Sequence, residues 1–341
     1  MGYAALSALG DAVDATEAFL LPVDRGLWLR LAVVVFFLSG GSGVGSLPNV
    51  SWQTSVSNVE GVPTISAPTE LFNEYLPVIV GIAVVAALVG LAFALTGAVM
   101  EFVLVDALRT ESVSVRAMAR EHVRKGLSLF AFQMALLVLV VGAVGGVGAV
   151  TVWPALDGGG AGLAAGIVLT GLVGLIVGLA AALAYVFTVA FVVPTMLAED
   201  RGLRRAWGRF WAVLRGNPAD FLVYLAVRLA LLIGVGIAAG TIVGIVAVVL
   251  LIPFGILGGF VLLAGGIALS AGAVTSLPLA VAVALGFIAV LYVLAVLVTV
   301  ALVQVPLKTF TRYYELFVLG DIDPDLDLVS ERREAVRSDP F

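Results

Sequence analysis

The residue of this sequence best able to do chemistry is an arginine inside an apolar run. Arg228 stands about 11 residues past Asn217, or roughly 16 Å of helix axis at 1.5 Å per residue. A guanidinium held at such a depth is costly and asks for a role. One role is contact with an anion or a lipid headgroup, with Glu101 or Asp106 as the counter-charge. The other is snorkelling to the inner membrane interface along Tyr224, which needs no ligand and is the simpler expectation.

Other candidates are weaker. His122, the single histidine, shares a helix face with Val115, Met118 and Ala119, so packing or an interfacial place is expected rather than catalysis or ligation. Asp321, Asp323, Asp325 and Asp327 alternate as in a calcium loop. An EF-hand starting at Asp321 would need glycine where Leu326 stands and glutamate where Arg332 stands, so a solvated acidic tail is expected. Cysteine is absent, which removes disulfides, thiolate metal sites and a cysteine nucleophile. There is no phosphate-binding loop, no metal constellation, no nucleophile beside a base and no embedded carboxylate pair of the kind a proton-coupled pump uses. No catalytic residue, cofactor, metal or nucleic-acid partner is expected.

The elements that position Arg228 lie in Glu199 to Leu232, where an arginine-rich segment runs without a linker into an apolar one. On a helical wheel Leu203, Ala206, Trp207, Phe210, Trp211 and Leu214 share one face, with Arg204, Arg205, Arg209 and Arg215 opposite. This pattern predicts an interfacial amphipathic helix. Gly216 should stop it, Asn217 should cap the next helix and Pro218 should occupy that helix's first position. Arg204, Arg205, Trp207 and Trp211 join Arg228 as expected contacts to lipid headgroups or other anions.

At 62% hydrophobic and 12% charged, the 341-residue chain falls outside the soluble class, in which about 25% of residues are charged. It reads as an integral membrane protein. Its 23 acids outnumber 18 bases, and Lys125 and Lys308 are the only lysines, a balance that points to a proteome adapted to high salt. The opening segment carries Asp11, Asp14 and Glu17 and no base, the reverse of a signal peptide, so no cleavage is expected. Leu6, Leu9, Val13 and Leu20 lie opposite those acids and should rest on the membrane or on the helix bundle.

Six spans are expected, at about 27–47, 76–100, 127–152, 163–197, 221–251 and 279–305. The first is the poorest, because Gly40, Gly41, Gly43 and Gly45 crowd its second half. Between the first two lies a loop without bases that holds an N-glycosylation triplet, Asn49-Val50-Ser51. Every base lies within 25–30, 109–125, 201–228 or 308–337, and six crossings put all four regions on one side, the cytoplasm, with both termini. A seventh crossing at 254–276 would carry Lys308, Arg312, Arg332, Arg333 and Arg337 outside. Residues 253–277 are therefore read as a re-entrant hairpin or as an extension of the flanking helices.

Three junctions, Arg25-Gly26-Leu27, Lys125-Gly126-Leu127 and Arg215-Gly216-Asn217, each follow an amphipathic segment and precede an apolar one. Phe102 to Val105 corresponds to Phe191 to Pro194 at an offset of 89 residues, against 90 between Gly126 and Gly216. The chain thus reads as three hairpin copies, about 1–108, 109–198 and 199–320, followed by the acidic cytoplasmic tail 321–341. Glycines four apart, Gly236, Gly240 and Gly244, Gly142 and Gly146, Gly174 and Gly178, allow close helix contact, expected within one subunit rather than at a dimer seam.

Ala206-Trp207 with Phe210-Trp211, then Val305-Pro306-Leu307-Lys308, Arg312-Tyr313-Tyr314 and Leu319-Gly320-Asp321, resemble a family of haloarchaeal multi-pass membrane proteins with no assigned activity. More distantly, they are similar to the membrane domain attached to some glycerophosphodiester phosphodiesterases. The soluble catalytic domain of those enzymes has no counterpart here, so the resemblance implies no catalysis.

The expected fold is an all-α integral membrane protein of six transmembrane helices in three hairpin repeats, with interfacial amphipathic helices on the cytoplasmic face of the plasma membrane. The expected function is non-enzymatic: a membrane-organising or interaction protein whose partners are membrane lipids, with protein partners and oligomeric state open. The alternative is a transporter or permease component for a hydrophobic or lipid-like solute. Third comes an enzyme acting on lipids, which would need a cleft joining Glu101, Asp106 and His122.

Overall fold

A computed structural model describes residues 4–43, 69–153, 160–266 and 278–338. Every regular element among them is helical. In chain order these are α1 (Ala4–Leu20), α2 (Arg25–Gly43), α3 (Thr69–Thr110), α4 (Val115–Thr151), α5 (Gly160–Phe187), a π turn (Thr188–Val192), α6 (Val193–Ala198), α7 (Leu203–Gly216), α8 (Pro218–Ala264), α9 (Leu279–Ile322), a 3₁₀ turn (Pro324–Leu326) and α10 (Ser330–Ser338). Among the described residues five stretches are long and apolar enough to cross a membrane: Leu76–Thr110, Val115–Thr151, Gly162–Ala198, Pro218–Ala264 and Leu279–Ile322. Residues 44–47 at the end of the expected first span, the Asn49 triplet and residues 267–277 lie outside the described residues.

The chain divides into two compact units. The middle unit takes residues 37–216 and 323–329, and the terminal unit takes 1–36, 217–322 and 330–341.

In the middle unit α3, α4 and α5 pack as consecutive antiparallel neighbours. Gly126 sets the approach of the first pair, since a Cβ there would stand 2.5 Å from Val99 Cγ2 and 2.8 Å from Val99 Cα. This glycine was expected at a junction between an interfacial and a spanning helix. α4 instead runs through it unbroken, and what Gly126 supplies is room for another backbone. Burial is concentrated at one end of the unit, over Ala98–Leu108, parts of α4 from Met118 to Leu129, and Thr188–Leu197. Away from that end the spans turn Val, Leu and Ile outward, as helices facing lipid do.

In the terminal unit α8 and α9 form an antiparallel hairpin, marked along its length by Tyr292 donating to the Ala247 carbonyl at 3.2 Å, by Phe254 edge-on to Tyr292, and by Gly265 against Val281. α8 starts at Pro218 with Asn217 in the cap position, as expected, although the asparagine side chain makes no capping bond. It continues helically through Pro253 to Ala264, so residues 253–264 extend the span rather than re-enter the membrane. Its 47 residues reach about 70 Å, more than twice a hydrocarbon core of about 30 Å.

α1 packs on α9, α8 and α10. Its buried face is Ala5, Ala8, Ala12 and Ala15, ending in Thr16, Phe19 and Leu20, whereas Leu6 and Val13 of the expected apolar face are exposed. Alanines let the two helix axes come close, and Leu6 and Val13 are left on the outside. Phe19 closes the contact edge-on against Tyr313, with ring centroids 6.1 Å apart.

The expected glycine contacts are mostly absent. A Cβ on Gly142, Gly146, Gly178, Gly236, Gly240 or Gly244 would meet nothing within 4 Å, and only Gly174 of that set touches a neighbour, Val144 at 3.3 Å.

Candidate functional site

α7 is helical with apolar residues inward, as the wheel predicts, but the buried face is narrower. Ala206, Phe210 and Val213 are buried, and Leu203, Trp207 and Leu214 half-buried. Phe210 stacks on Phe191 with centroids 5.4 Å apart and lies 5.7 Å from Phe187. A fully buried phenylalanine stabilises by roughly 2–3 kcal/mol, so α7 is fastened to the end of α5 and its π turn.

Trp207 belongs to that fastening. Its indole N–H donates to Thr188 Oγ1 at 3.1 Å, while Thr188 donates to the Ala184 carbonyl at 2.6 Å. The ring sits between Phe132 and Phe210. Of the two tryptophans expected to meet lipid, this one is therefore spent on the protein, because its single donor is satisfied there.

Trp211 faces outward at 45% exposure, with the Arg215 guanidinium 4.8 Å over its ring. Arg204, Arg205, Gly208 and Ala212 share this outer surface. Arg209 does not, for it pairs with Glu199 at 3.4 Å and with Asp323 at 2.6 Å. The acidic run is accordingly only partly solvated, with Asp325 exposed and Asp323 engaged. Asp323 also caps the 3₁₀ turn by accepting from Asp325 N, and Asp327 accepts from Val329 N. In the terminal unit Asp321 takes Arg333 at 2.6 Å and Arg337 at 2.7 Å, and Arg337 reaches Asp11 at 2.8 Å. These carboxylates hold the Arg337 proton more tightly than usual.

The carboxylate that meets Arg228 is Glu315 of α9, rather than Glu101 or Asp106. Arg228 Nη1 donates to Glu315 Oε1 and, at 2.6 Å, to the Tyr224 hydroxyl, one turn back on α8. Glu315 Oε2 accepts from Arg312 at 2.9 Å, and Tyr224 stacks on Tyr314 with centroids 5.9 Å apart. The side chain does lean along Tyr224, yet it ends on a buried carboxylate. Such a cluster locks α8 to α9 and leaves Arg228 little freedom to receive an anion. The signal for it was in the sequence: Arg312 and Glu315 stand three apart where α9 otherwise turns aromatic and apolar.

Asp106 meets His122 instead, Oδ2 to Nε2 at 3.2 Å, with His122 buried and Phe102 beside its ring. No side-chain hydroxyl is bonded to His122 among the described residues, so the pair has an acid–base partner and no nucleophile. Glu101 is buried on α3. One turn beyond His122, Lys125 donates to the Met196 carbonyl at 3.2 Å and pairs with Asp200 at 2.7 Å. This lysine closes the C-terminal end of α6, where a cation is favoured. Its ammonium, hydrogen-bonded to Asp200, holds that carboxyl below its ordinary value.

A family model matches residues 3–329; its description is a family of unknown function, DUF7544. No curated protein and no solved structure matches the chain.

Proposed function

The chain thus belongs to DUF7544, and from its geometry we propose that it is a non-enzymatic multi-pass protein of the plasma membrane. In this reading it organises membrane lipid by holding the outer face of α7 against anionic headgroups. The observation that carries it is the division of α7: Ala206, Phe210 and Val213 fix the helix to the protein, and Arg204, Arg205, Trp211 and Arg215 are left outward. A basic face beside a membrane contributes about 1 kcal/mol per arginine at ordinary ionic strength, and tryptophan favours the headgroup layer. At molar salt, where the Debye length is roughly 3 Å, Trp211 carries more of the contact.

The topology that goes with this reading has six crossings, α2 supplying the first. All four basic regions, both termini and α7 then lie in the cytoplasm. Arg228, engaged by Glu315 and Tyr224, is not needed as a headgroup contact in this reading.

The experiment is fluorescence quenching by brominated lipid in nanodiscs, on a variant whose only tryptophan is Trp211. Strong quenching by lipid brominated near the headgroup is expected. Quenching no greater than that of free tryptophan in water would remove the proposal.

A further inference from the structure

The outer face of α7 has a gap at its middle. Gly208 is exposed, and a Cβ built on it would meet nothing within 4 Å. Glycine is a poor helix former, and here neither a tight packing contact nor a left-handed backbone explains its use. Around it the helical repeat places Arg204 and Arg205 one turn back and Trp211 and Ala212 one turn on. Bare backbone thus forms the floor of a notch with two guanidiniums at one end and an indole at the other.

The charges at this notch are uncompensated. Arg201 and Arg209 are paired with carboxylates, whereas Arg204, Arg205 and Arg215 have no carboxylate partner among the described residues. Arg215 lies over Trp211 and so stands at the same end as the ring.

Resting on the headgroup reading above, we propose that the Gly208 notch is a binding site for the phosphate of an anionic phospholipid. Arg204 and Arg205 take the phosphate oxygens, a match guanidinium geometry favours. The Trp211 ring lies along the glycerol and upper acyl chain, which is why the occupant is a lipid rather than free phosphate. A side chain at position 208 would fill the space the phosphate needs.

The test uses the full chain in detergent, with native mass spectrometry reading retained phosphatidylglycerol against phosphatidylcholine. Three proteins are compared: wild type, Gly208→Leu, and the triple variant Arg204→Gln, Arg205→Gln, Arg215→Gln. Leucine is the better helix former, so Gly208→Leu should keep or raise the Tm while lowering phosphatidylglycerol retention about fivefold or more. The triple variant should lose the preference for anionic lipid. Undiminished retention by Gly208→Leu beside loss in the triple variant would overturn the notch and leave the headgroup reading standing. Undiminished retention in both would overturn both. If millimolar inorganic phosphate displaced the lipid completely while phosphatidylcholine did not, the site would be one for free phosphate and the proposal would again fail.

Discussion

Arg228 of α8 and Glu315 of α9 meet as an ion pair whose carboxylate is shared with Arg312 of α9. Replacing Arg228 with leucine leaves Glu315, 2% exposed, with one cation instead of two. Breaking one side of a buried pair costs about 3 kcal/mol or more, so thermal unfolding in detergent should shift clearly downward. Arg228→Met combined with Glu315→Gln should recover part of the loss, because no uncompensated carboxylate is then left. An unchanged Tm for Arg228→Leu would show the cluster to be dispensable.

Trp207 and Thr188 should behave as a coupled pair. Trp207→Phe keeps the ring between Phe132 and Phe210 and loses only the hydrogen bond, about 1 kcal/mol. Thr188→Val leaves a half-buried indole N–H unsatisfied and should cost at least as much. A double-mutant cycle is expected to return a coupling of about 0.5–1.5 kcal/mol. A coupling near zero would mean that the bond holds nothing.

Gly126→Ala tests the approach of α3 and α4. The added methyl would overlap Val99 at both its backbone and its side chain, so the helices must separate. A cost of about 1–3 kcal/mol is expected, although alanine is intrinsically the better helix former. A stabilised variant would show that the crossing yields easily.

Asp200 gives a pH dependence whose sign is fixed. Its carboxyl is held below the ordinary 3.8, first by the hydrogen bond from Lys125 and then by the charge of that ammonium. The pair therefore contributes stability above pH 3.8, and that contribution is lost as pH falls from there through the lower, folded value. Asp200→Asn should flatten this part of a Tm-against-pH curve and leave the neutral range nearly unchanged. An identical acid limb in wild type and variant would rule the pair out as its source.

Membrane class and five of the six expected spans were legible because length and hydropathy report them directly, as Leu76–Thr110 and Leu279–Ile322 show; the expected first span is not among those five. The partner of Arg228 was not, because Glu315 lies 87 positions along the chain and a hydropathy pattern carries no pairing information. The wheel of α7 placed Trp207 and Trp211 together, but a helix resting on a protein surface buries a strip narrower than its apolar face. Trp211, at the edge of that strip, turns out. For α1 the pattern favoured Leu6 and Val13, while the fold used the alanines because close approach of two axes outweighs side-chain size. The alternating aspartates looked like solvent residues because their arginines, Arg209, Arg333 and Arg337, are not adjacent to them in sequence.

The terminal unit joins the first helix of the chain to its last, with Asp11 on α1 bound by Arg337 on α10. The middle unit is drawn almost entirely from residues 37–216. Synthesis from the N-terminus therefore releases α1 long before the surface it needs has been made. Its alanine face must wait through the translation of some three hundred residues, and the middle unit, whose neighbouring helices follow one another in sequence, can pack in the meantime. A ribosome stalled before α9 would carry a chain whose centre is built and whose beginning is still looking for its end.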